Sequence, residues 1–313
     1  LRLLTRVTKV DLKRKLVFTE SIRFGEELRD IVGYDKLCIA TGSKTLKLQC
    51  PGADLENIFY VRDFADVDRL KQVATSGRKA VVVGGGYIGM EVSACLAIRG
   101  LQVTLVSRSG GLLPKLFPPA VSGFFEALWA SKGVTVVKEA QVSAVEGKRN
   151  ASSVQLARAS PSSPPLTAGA LPCDLVVVGV GAVPNSELFR DSGLELEGEN
   201  GGIVTDSHLR TNVDAVYAVG DVISFPVEGR DSKRGVQGHV THARASAQYV
   251  ARSMVGESVP SEPYQYLPLL YSRVDPWGLC WKFHGHNEGE VRVMGDVDSG
   301  EFSALWVKEG RVR

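Results

Sequence analysis

The 313-residue chain, 44% hydrophobic and 23% charged, is long enough for two or three domains around a sizeable core. Its 37 basic and 35 acidic residues are mixed along the chain and leave a formal net charge of +2, which argues against a nucleic-acid or anionic-membrane partner and for small-molecule chemistry. No apolar run approaches the roughly 18 residues of a membrane span, and the N-terminal stretch lacks a signal-peptide apolar region.

Residues 1–33 read as short strands with charged turns, Lys15–Phe18 followed by Ile22–Phe24, at the end of a sheet. Tyr34–Ser43 places a strand at Leu37–Ala40 that runs into Thr41-Gly42, a plain strand and turn when taken alone. A turn at Pro51-Gly52 precedes a helix expected from about Ala65 to Ala74, with Asp63, Asp66 and Asp68 placed to suit its dipole.

The stretch Val81–Glu91, VVVGGGYIGME, organises the rest. β-Branched residues lay down a buried strand, and Gly84, Gly86 and Gly89, set around Tyr87 and Ile88, supply GxGxxG before an apolar helix through Met90–Ala97. Gly84 permits the bend, Gly86 lets a phosphate reach the backbone, and Gly89 lets the helix pack on the strand. A second strand at Val103–Val106 completes a βαβ unit, so the helix N-terminus is expected to face the pyrophosphate of a dinucleotide. The competing reading is a glycine-rich turn that binds nothing. After the second strand an NAD-selective site places an acid on the ribose hydroxyls, whereas this chain reads Ser107, Arg108, Ser109, Gly110, Gly111. Arg108 suits a 2′-phosphate, both serines offer hydroxyls, and Lys115 adds charge, so NADPH is expected to serve at least as well as NADH. The alternative is that Arg108 is solvated at a strand end.

A helix near Ala120–Ser131, a strand at Val134–Val137 and a β-hairpin follow. The Ser-, Pro-, Ala- and Gly-rich text between Gly147 and Cys173 reads as a flexible loop at the hairpin tip. Leu175–Gly181 is a buried strand whose end would lie beside the glycine loop in a parallel sheet. Thr211–Val222 gives a strand presenting Asp221 after Gly220. A carboxylate there can accept hydrogen bonds from the ribityl hydroxyls of FAD, while a helix starting near His239 aims its positive end at the isoalloxazine carbonyl; the competing reading is an ordinary Gly-Asp turn. His242–Met254 is amphipathic, with Ala243, Ala247, Val250, Ala251 and Met254 at helical spacing. Tyr264–Arg313 carries three of the four tryptophans and alternates like an antiparallel sheet. The five cysteines form no CxxC pair or metal spacing. They read as small apolar residues in a reducing compartment, with no redox disulfide and no metal site.

The stretches YDKLCIATGS, NIFYVRD, VVVGGGYIGMEVSA, PKLF, VVVGVGAVPN, VYAVGDVISFPV, HVTHARASA and YLPLLYSRVDPWGLCWKFHG resemble the monodehydroascorbate reductases, FAD enzymes that use NADH or NADPH. The resemblance implies an α/β two-dinucleotide-binding-domain flavoprotein, with a partial FAD-binding domain from residues 1–63 and 185–260. An intact Rossmann-like NAD(P)H-binding domain would occupy 64–184 and a partial α+β interface domain 261–313. The first glycine loop of such a protein, which holds the ADP half of FAD, is absent and the chain starts at Leu1, so the chain is expected to be truncated at both ends.

Carried over by position, the resemblance puts Thr41 and Gly42 at the close of the first FAD segment, Arg62 and Asp63 near FAD, and Asp221 and Val240 at FAD. It puts Gly86–Gly89 under the NAD(P) pyrophosphate, Tyr87 against the nicotinamide side, Lys115 and Gly181 at NAD(P), and His239 near the nicotinamide. Arg244 would meet the substrate, and Tyr271 both flavin and substrate. A guanidinium can orient an anion such as the ascorbate radical, and a phenol can stack and hydrogen-bond. The chain departs from the family where Glu-His-Val-Asp-His becomes Gly238-His239-Val240-Thr241-His242, where an acid becomes Ser109, and where an arginine becomes Val183.

The activity implied is hydride transfer from NAD(P)H to FAD, followed by single-electron transfer to two monodehydroascorbate radicals, which regenerates ascorbate. The alternatives are an NAD(P)H reductase of a ferredoxin or quinone, and a redox-inactive nucleotide-binding fragment. The compartment stays open between cytoplasm, chloroplast, mitochondrion and peroxisome.

Overall fold

Four successive apolar residues in the strand Lys79–Val83 are buried because neighbours flank it on both edges and both its faces are covered. The sheet is parallel throughout, in the order Ile58–Phe59, Leu175–Val178, Lys79–Val83, Gln102–Val106, Val134–Val137. Alternation divides its side chains between two cores. Ala80, Val82, Val103, Leu105, Leu175 and Val177 meet the helices α1 (Phe64–Val73), α2 (Tyr87–Ile98) and α3 (Pro119–Ser131). Val81, Val83, Val106, Val176 and Val178 meet a hairpin made of Ala140–Gly147 and Ala151–Arg158. Near-continuous apolar runs are what a parallel sheet covered on both faces requires.

The computed structural model describes residues 1–23, 26–198, 201–227, 234–256 and 261–312. The sheet lies in a compact unit of Thr45–Gly181 and Leu270–Arg313, and a second unit comprises Leu1–Lys44 and Ala182–Leu269.

In the sheet unit Asp63 caps α1 by accepting from the Asp66 N–H at 2.9 Å, while the Asp66 carboxylate returns a bond to the cap backbone. That reciprocal box begins the helix at Phe64 and spends the Asp63 carboxylate. Buried Trp129 on α3 donates from Nε1 to Ser93 Oγ on α2 at 2.8 Å. The C-terminal segment adds two antiparallel sheets, Leu269–Val274 with Leu279–His284, and Glu290–Asp296 with Glu301–Lys308 and Arg311–Val312. Trp277 meets Trp129 edge-on at 5.1 Å, and Trp281 meets Phe117 at 5.2 Å.

The other unit holds a three-stranded antiparallel meander, Thr5–Asp11, Leu16–Arg23 and Glu26–Gly33, and a parallel pair of Leu37–Ile39 and Val216–Ala218. Helix α4 (Val240–Val255) starts at His239 and ends at Gly256 in the left-handed region.

Several expectations change. Lys15 belongs to a turn and the next strand runs unbroken from Leu16 to Arg23; Phe24 lies outside the described residues. Among the described residues the meander forms a three-stranded sheet of its own. The text between Gly147 and Cys173 contains two strands, Ala151–Arg158 and Ala170–Pro172, because Ala151, Val154 and Leu156 are buried and Val154 pairs with Val145 and Leu171. The Ser- and Pro-rich residues 159–169 join these two strands, which pair antiparallel, so the loop lies at the tip of that hairpin as expected. Tyr264 and Tyr266 are buried in the unit of α4 and precede the C-terminal strands. Helix α4 buries His242, Ser246, Val250 and Ser253, whereas Ala247 and Ala251 are exposed. Among the cysteines Cys173 is buried, Cys50 is half-buried, and Cys38, Cys95 and Cys280 are exposed.

Candidate functional site

In the sheet unit the glycine loop is built as its spacing demands. Gly84 has φ +121, and a Cβ there would lie 2.3 Å from the Gly179 carbonyl oxygen at the end of the adjacent strand. A Cβ on Gly89 would lie 1.8 Å from Gly84 O, so the contact that Gly89 permits is with the loop. Gly86 is different: it is exposed and nothing stands within 4 Å of the place a Cβ would take. It is the N-cap of α2, makes no side-chain cap bond, and no acid occupies the first turn. The helix therefore presents uncapped N–H groups and its positive end at an open surface, the arrangement that takes a phosphate. Tyr87 and Ile88 form the half-buried first turn beside it.

Gly85 was not singled out by the spacing, yet a Cβ on it would lie 2.5 Å from Ser107 Oγ. Ser107 is buried, donates to Gly111 O at 3.1 Å and accepts from the Ser109 N–H at 3.3 Å. Its hydroxyl thus staples the turn after the second strand and has no donor left for a cofactor, contrary to the reading of both serines as donors. Arg108 and Ser109 stand exposed on that turn, and Arg108 makes no ion pair with a described residue. Lys115 is exposed, with its backbone carbonyl held by Asn287 Nδ2 at 2.5 Å. Gly181 has φ +124 and its carbonyl accepts from the Leu46 N–H at 2.9 Å. Arg62 and Asp63 stand at the start of α1, and Tyr271 stands 51% exposed on the Leu269–Val274 strand.

The other unit gathers a second set of residues. Thr41 Oγ1 donates to Asn185 O at 2.7 Å, Asn185 Nδ2 returns a bond to Thr41 O at 2.9 Å, and the Asn185 N–H bonds Gly42 O. Asn185 thereby clamps the Thr41-Gly42 turn, and Gly42 needs φ +69 to make it. Ser43 Oγ donates to Asp221 Oδ2 at 2.7 Å. Asp221 sits in a short 3₁₀ turn, Gly220–Val222, after a strand shorter than expected, Val216–Ala218. The Gly220 N–H donates to Ser246 Oγ on α4 at 3.0 Å. Thr41, Gly42, Asp221 and the first turns of α4, with His239, Val240 and Arg244, are therefore tied together. Val240 and Arg244 are exposed. Ser43, Asn185 and Ser246 lie within the stretches YDKLCIATGS, VVVGVGAVPN and HVTHARASA, but nothing in their residue types pointed to these bonds.

Two histidines of α4 differ. His239 caps the helix: its Nδ1 accepts from the Thr241 N–H at 3.3 Å. Burial pushes its imidazole below the usual histidine range, opposed by the nearby Asp221 carboxylate. His242 is fully buried, stacked on Phe225 at 4.8 Å, with Nδ1 3.0 Å from Tyr264 Oη. Burial pushes it down to about 4, with the Gly220 backbone and Asp221 opposing.

A pH dependence follows for His242. The unfolded imidazole takes its proton near 6.5 and the folded one only near 4, so the unfolded state binds more protons between these values and stability falls as pH drops through that window. At roughly 1.4 kcal/mol per unit, the wild type should lose about 2 kcal/mol more than His242→Phe between pH 7 and pH 5. Denaturant titrations at both pH values measure this, and parallel losses would refute it.

Burial also raises the thiols of Cys38, Cys50, Cys95 and Cys173, the last to about 11. Among the described residues no cluster of His, Cys, Asp or Glu could hold a metal ion, and no helix is long and apolar enough to cross a membrane.

The family profile of pyridine nucleotide-disulphide oxidoreductases matches residues 1–247, and that of the C-terminal domain of monodehydroascorbate reductase 3-like proteins matches residues 267–313. The chain is 37% identical to a monodehydroascorbate reductase of Solanum lycopersicum over 98% of its own length and 69% of the relative's. It is also 37% identical to the peroxisomal monodehydroascorbate reductase 4 of Arabidopsis thaliana, over 98% of this chain and 60% of that one. Among solved structures, a ferredoxin reductase from Rhodopseudomonas palustris superposes with a TM-score of 0.84 at 26% identity, over 98% of this chain and 71% of that one.

Proposed function

The chain belongs to the pyridine nucleotide-disulphide oxidoreductase family, with monodehydroascorbate reductases among its relatives, and on that premise we propose that it passes electrons from NAD(P)H through FAD to the monodehydroascorbate radical. The observation that carries the reading is the joint match of the chain, through its C-terminal segment, to monodehydroascorbate reductases at 37% identity.

The residues present fit the pyrophosphate of NAD(P)H and the flavin end of FAD. For NAD(P)H the fit rests on the open position at Gly86, which a Cβ would fill, beside the uncapped N-terminus of α2. There Gly84, Gly86, Tyr87, Ile88 and Gly89 would hold the pyrophosphate, with Arg108, Lys115 and Gly181 toward the rest of the dinucleotide. For FAD it rests on the Asp221 carboxylate, fixed by Ser43, next to the start of α4. Asp221, Val240, Thr41 and Gly42 would line the flavin, with Arg62 and Asp63 assigned to FAD by resemblance. Flavin chemistry joins a two-electron donor to a one-electron acceptor.

The chain's own residues then bind and orient. Neutral His239 offers an N–H without adding charge. Arg244 offers a guanidinium to an anionic substrate, and Tyr271 a phenol that stacks and hydrogen-bonds. Reading the exposed thiols as nucleophiles is unnecessary, because the transfer of electrons to a radical needs no covalent intermediate on the protein. The test is whether NAD(P)H oxidation couples to the ascorbate radical in preference to a ferredoxin or a quinone.

Cofactor choice is set by the turn after the second strand. With Arg108 exposed and Ser109 in the place of an acid within the turn itself, the neighbouring carboxylates being Glu139 beside Gly110 and Glu126 beside Gly111, NADPH should be used at least as well as NADH. Arg108→Glu should lower kcat/KM for NADPH by about tenfold or more, since a charge-assisted contact is worth ~1.5–3 kcal/mol, and spare that for NADH. A strong NADH preference in the wild type, unchanged by the substitution, would contradict the assignment.

A further inference from the structure

The cap of α4 holds a chain of hydroxyls that ends on His239. Tyr266, buried in the core of its unit, places its Oη 2.6 Å from Thr241 Oγ1. Thr241 Oγ1 lies 2.8 Å from His239 Nδ1, and the Thr241 backbone N–H points at the same nitrogen at 3.3 Å. A backbone N–H can only donate, so Nδ1 carries its lone pair. The threonine hydroxyl must then donate to Nδ1 as well, which leaves its oxygen to accept from the tyrosine. Every bond in Tyr266 → Thr241 → His239 has one direction, and it is set by the helix.

We propose that Thr241 and Tyr266 are positioning residues that fix His239 as the neutral Nε2–H tautomer, so that it acts as a hydrogen-bond donor toward a carbonyl or carboxamide oxygen of the bound redox cofactors and not as an acid or base. The placement of His239 at the cofactors rests on the function proposed above; the tautomer does not. Protonating Nδ1 would set its N–H against the Thr241 N–H and reverse the hydroxyl chain. The ring is thereby held neutral by the same contacts that orient it. Asp221 is the carboxylate whose charge acts on this imidazole. Thr241 at this position is consequential because an aspartate could not donate: it would demand the opposite tautomer.

The test is ¹⁵N NMR of the full chain labelled at histidine, with the His239 signals identified by their loss in His239→Gln. The wild type should show an unprotonated Nδ1 and a protonated Nε2. Thr241→Ser, which keeps the hydroxyl, should preserve that pattern. Thr241→Val should give mixed tautomers, and Thr241→Asp should invert them to Nδ1–H. A protonated Nδ1 in the wild type, or a His239 pattern that is the same in Thr241→Val and Thr241→Asp as in the wild type, overturns the proposal. Circular dichroism and melting of each variant show that the helix is intact. Turnover of NAD(P)H separates the two readings: His239→Phe, which removes the Nε2–H donor, should lower kcat more than tenfold, while unchanged turnover would overturn the placement of His239 at the cofactors and leave the tautomer standing.

Discussion

Gly86→Val is expected to fold and melt like the wild type and to bind NAD(P)H on the order of 10- to 100-fold more weakly. The substitution is tolerated because Gly86 has φ −81 and ψ 177, values open to valine, and no atom lies within 4 Å of its prospective Cβ. Its branched side chain would instead occupy the approach to the first N–H groups of α2. Losing a charge-assisted hydrogen bond there is worth ~1.5–3 kcal/mol, and each 1.4 kcal/mol is tenfold in affinity. The contrast is Gly89→Ala, whose Cβ would lie 1.8 Å from Gly84 O. That variant should lose stability first and affinity only as a result. Calorimetric titration of cofactor alongside thermal melting distinguishes the two. Equal affinities for Gly86→Val and wild type would remove the phosphate from this loop.

Arg244→Ala is expected to raise KM for the anionic radical by about 10- to 100-fold, from the loss of a charge-assisted contact of ~1.5–3 kcal/mol, with KM for NAD(P)H unchanged. Arg244 lies in the second turn of α4, exposed and without an ion pair to any described residue, so its guanidinium is not spent on the fold. Arg244→Lys should recover part of the loss, since an ammonium keeps the charge but not the planar fork. Initial-rate kinetics with each substrate varied separately read this out. A change confined to the NAD(P)H constant would mean that the arginine serves the cofactor.

The βαβ unit was legible because its information is local. Apolar runs announce strands covered on both faces, Gly84 and Gly89 stand where a Cβ would strike a carbonyl, and Asp63 starts α1 with a box that closes three residues on. What stayed illegible depends on distant partners. Gly85 looks like its neighbours in a glycine run, and its constraint is the Ser107 hydroxyl on the turn after another strand. The hairpin strand Ala151–Arg158 is rich in small and polar residues, and pairing with Ala140–Gly147 decides its state. The buried face of α4 was misread because His242 and Ser246 look like surface residues until Tyr264 meets the His242 Nδ1 and the Gly220 N–H meets the Ser246 hydroxyl. Asp221 could be picked out from Gly-Asp at a strand end, but its partner Ser43 is 178 residues away.

The most direct measurement of the central claim follows the ascorbate radical by electron paramagnetic resonance, in the presence of the FAD-supplemented protein, while NAD(P)H oxidation is recorded in the same sample. Because a hydride carries two electrons and the radical accepts one, about one NAD(P)H should disappear for every two radicals lost beyond their spontaneous decay. NAD(P)H oxidation that leaves the radical decay unchanged, or that proceeds only with a ferredoxin or a quinone as acceptor, would contradict the account.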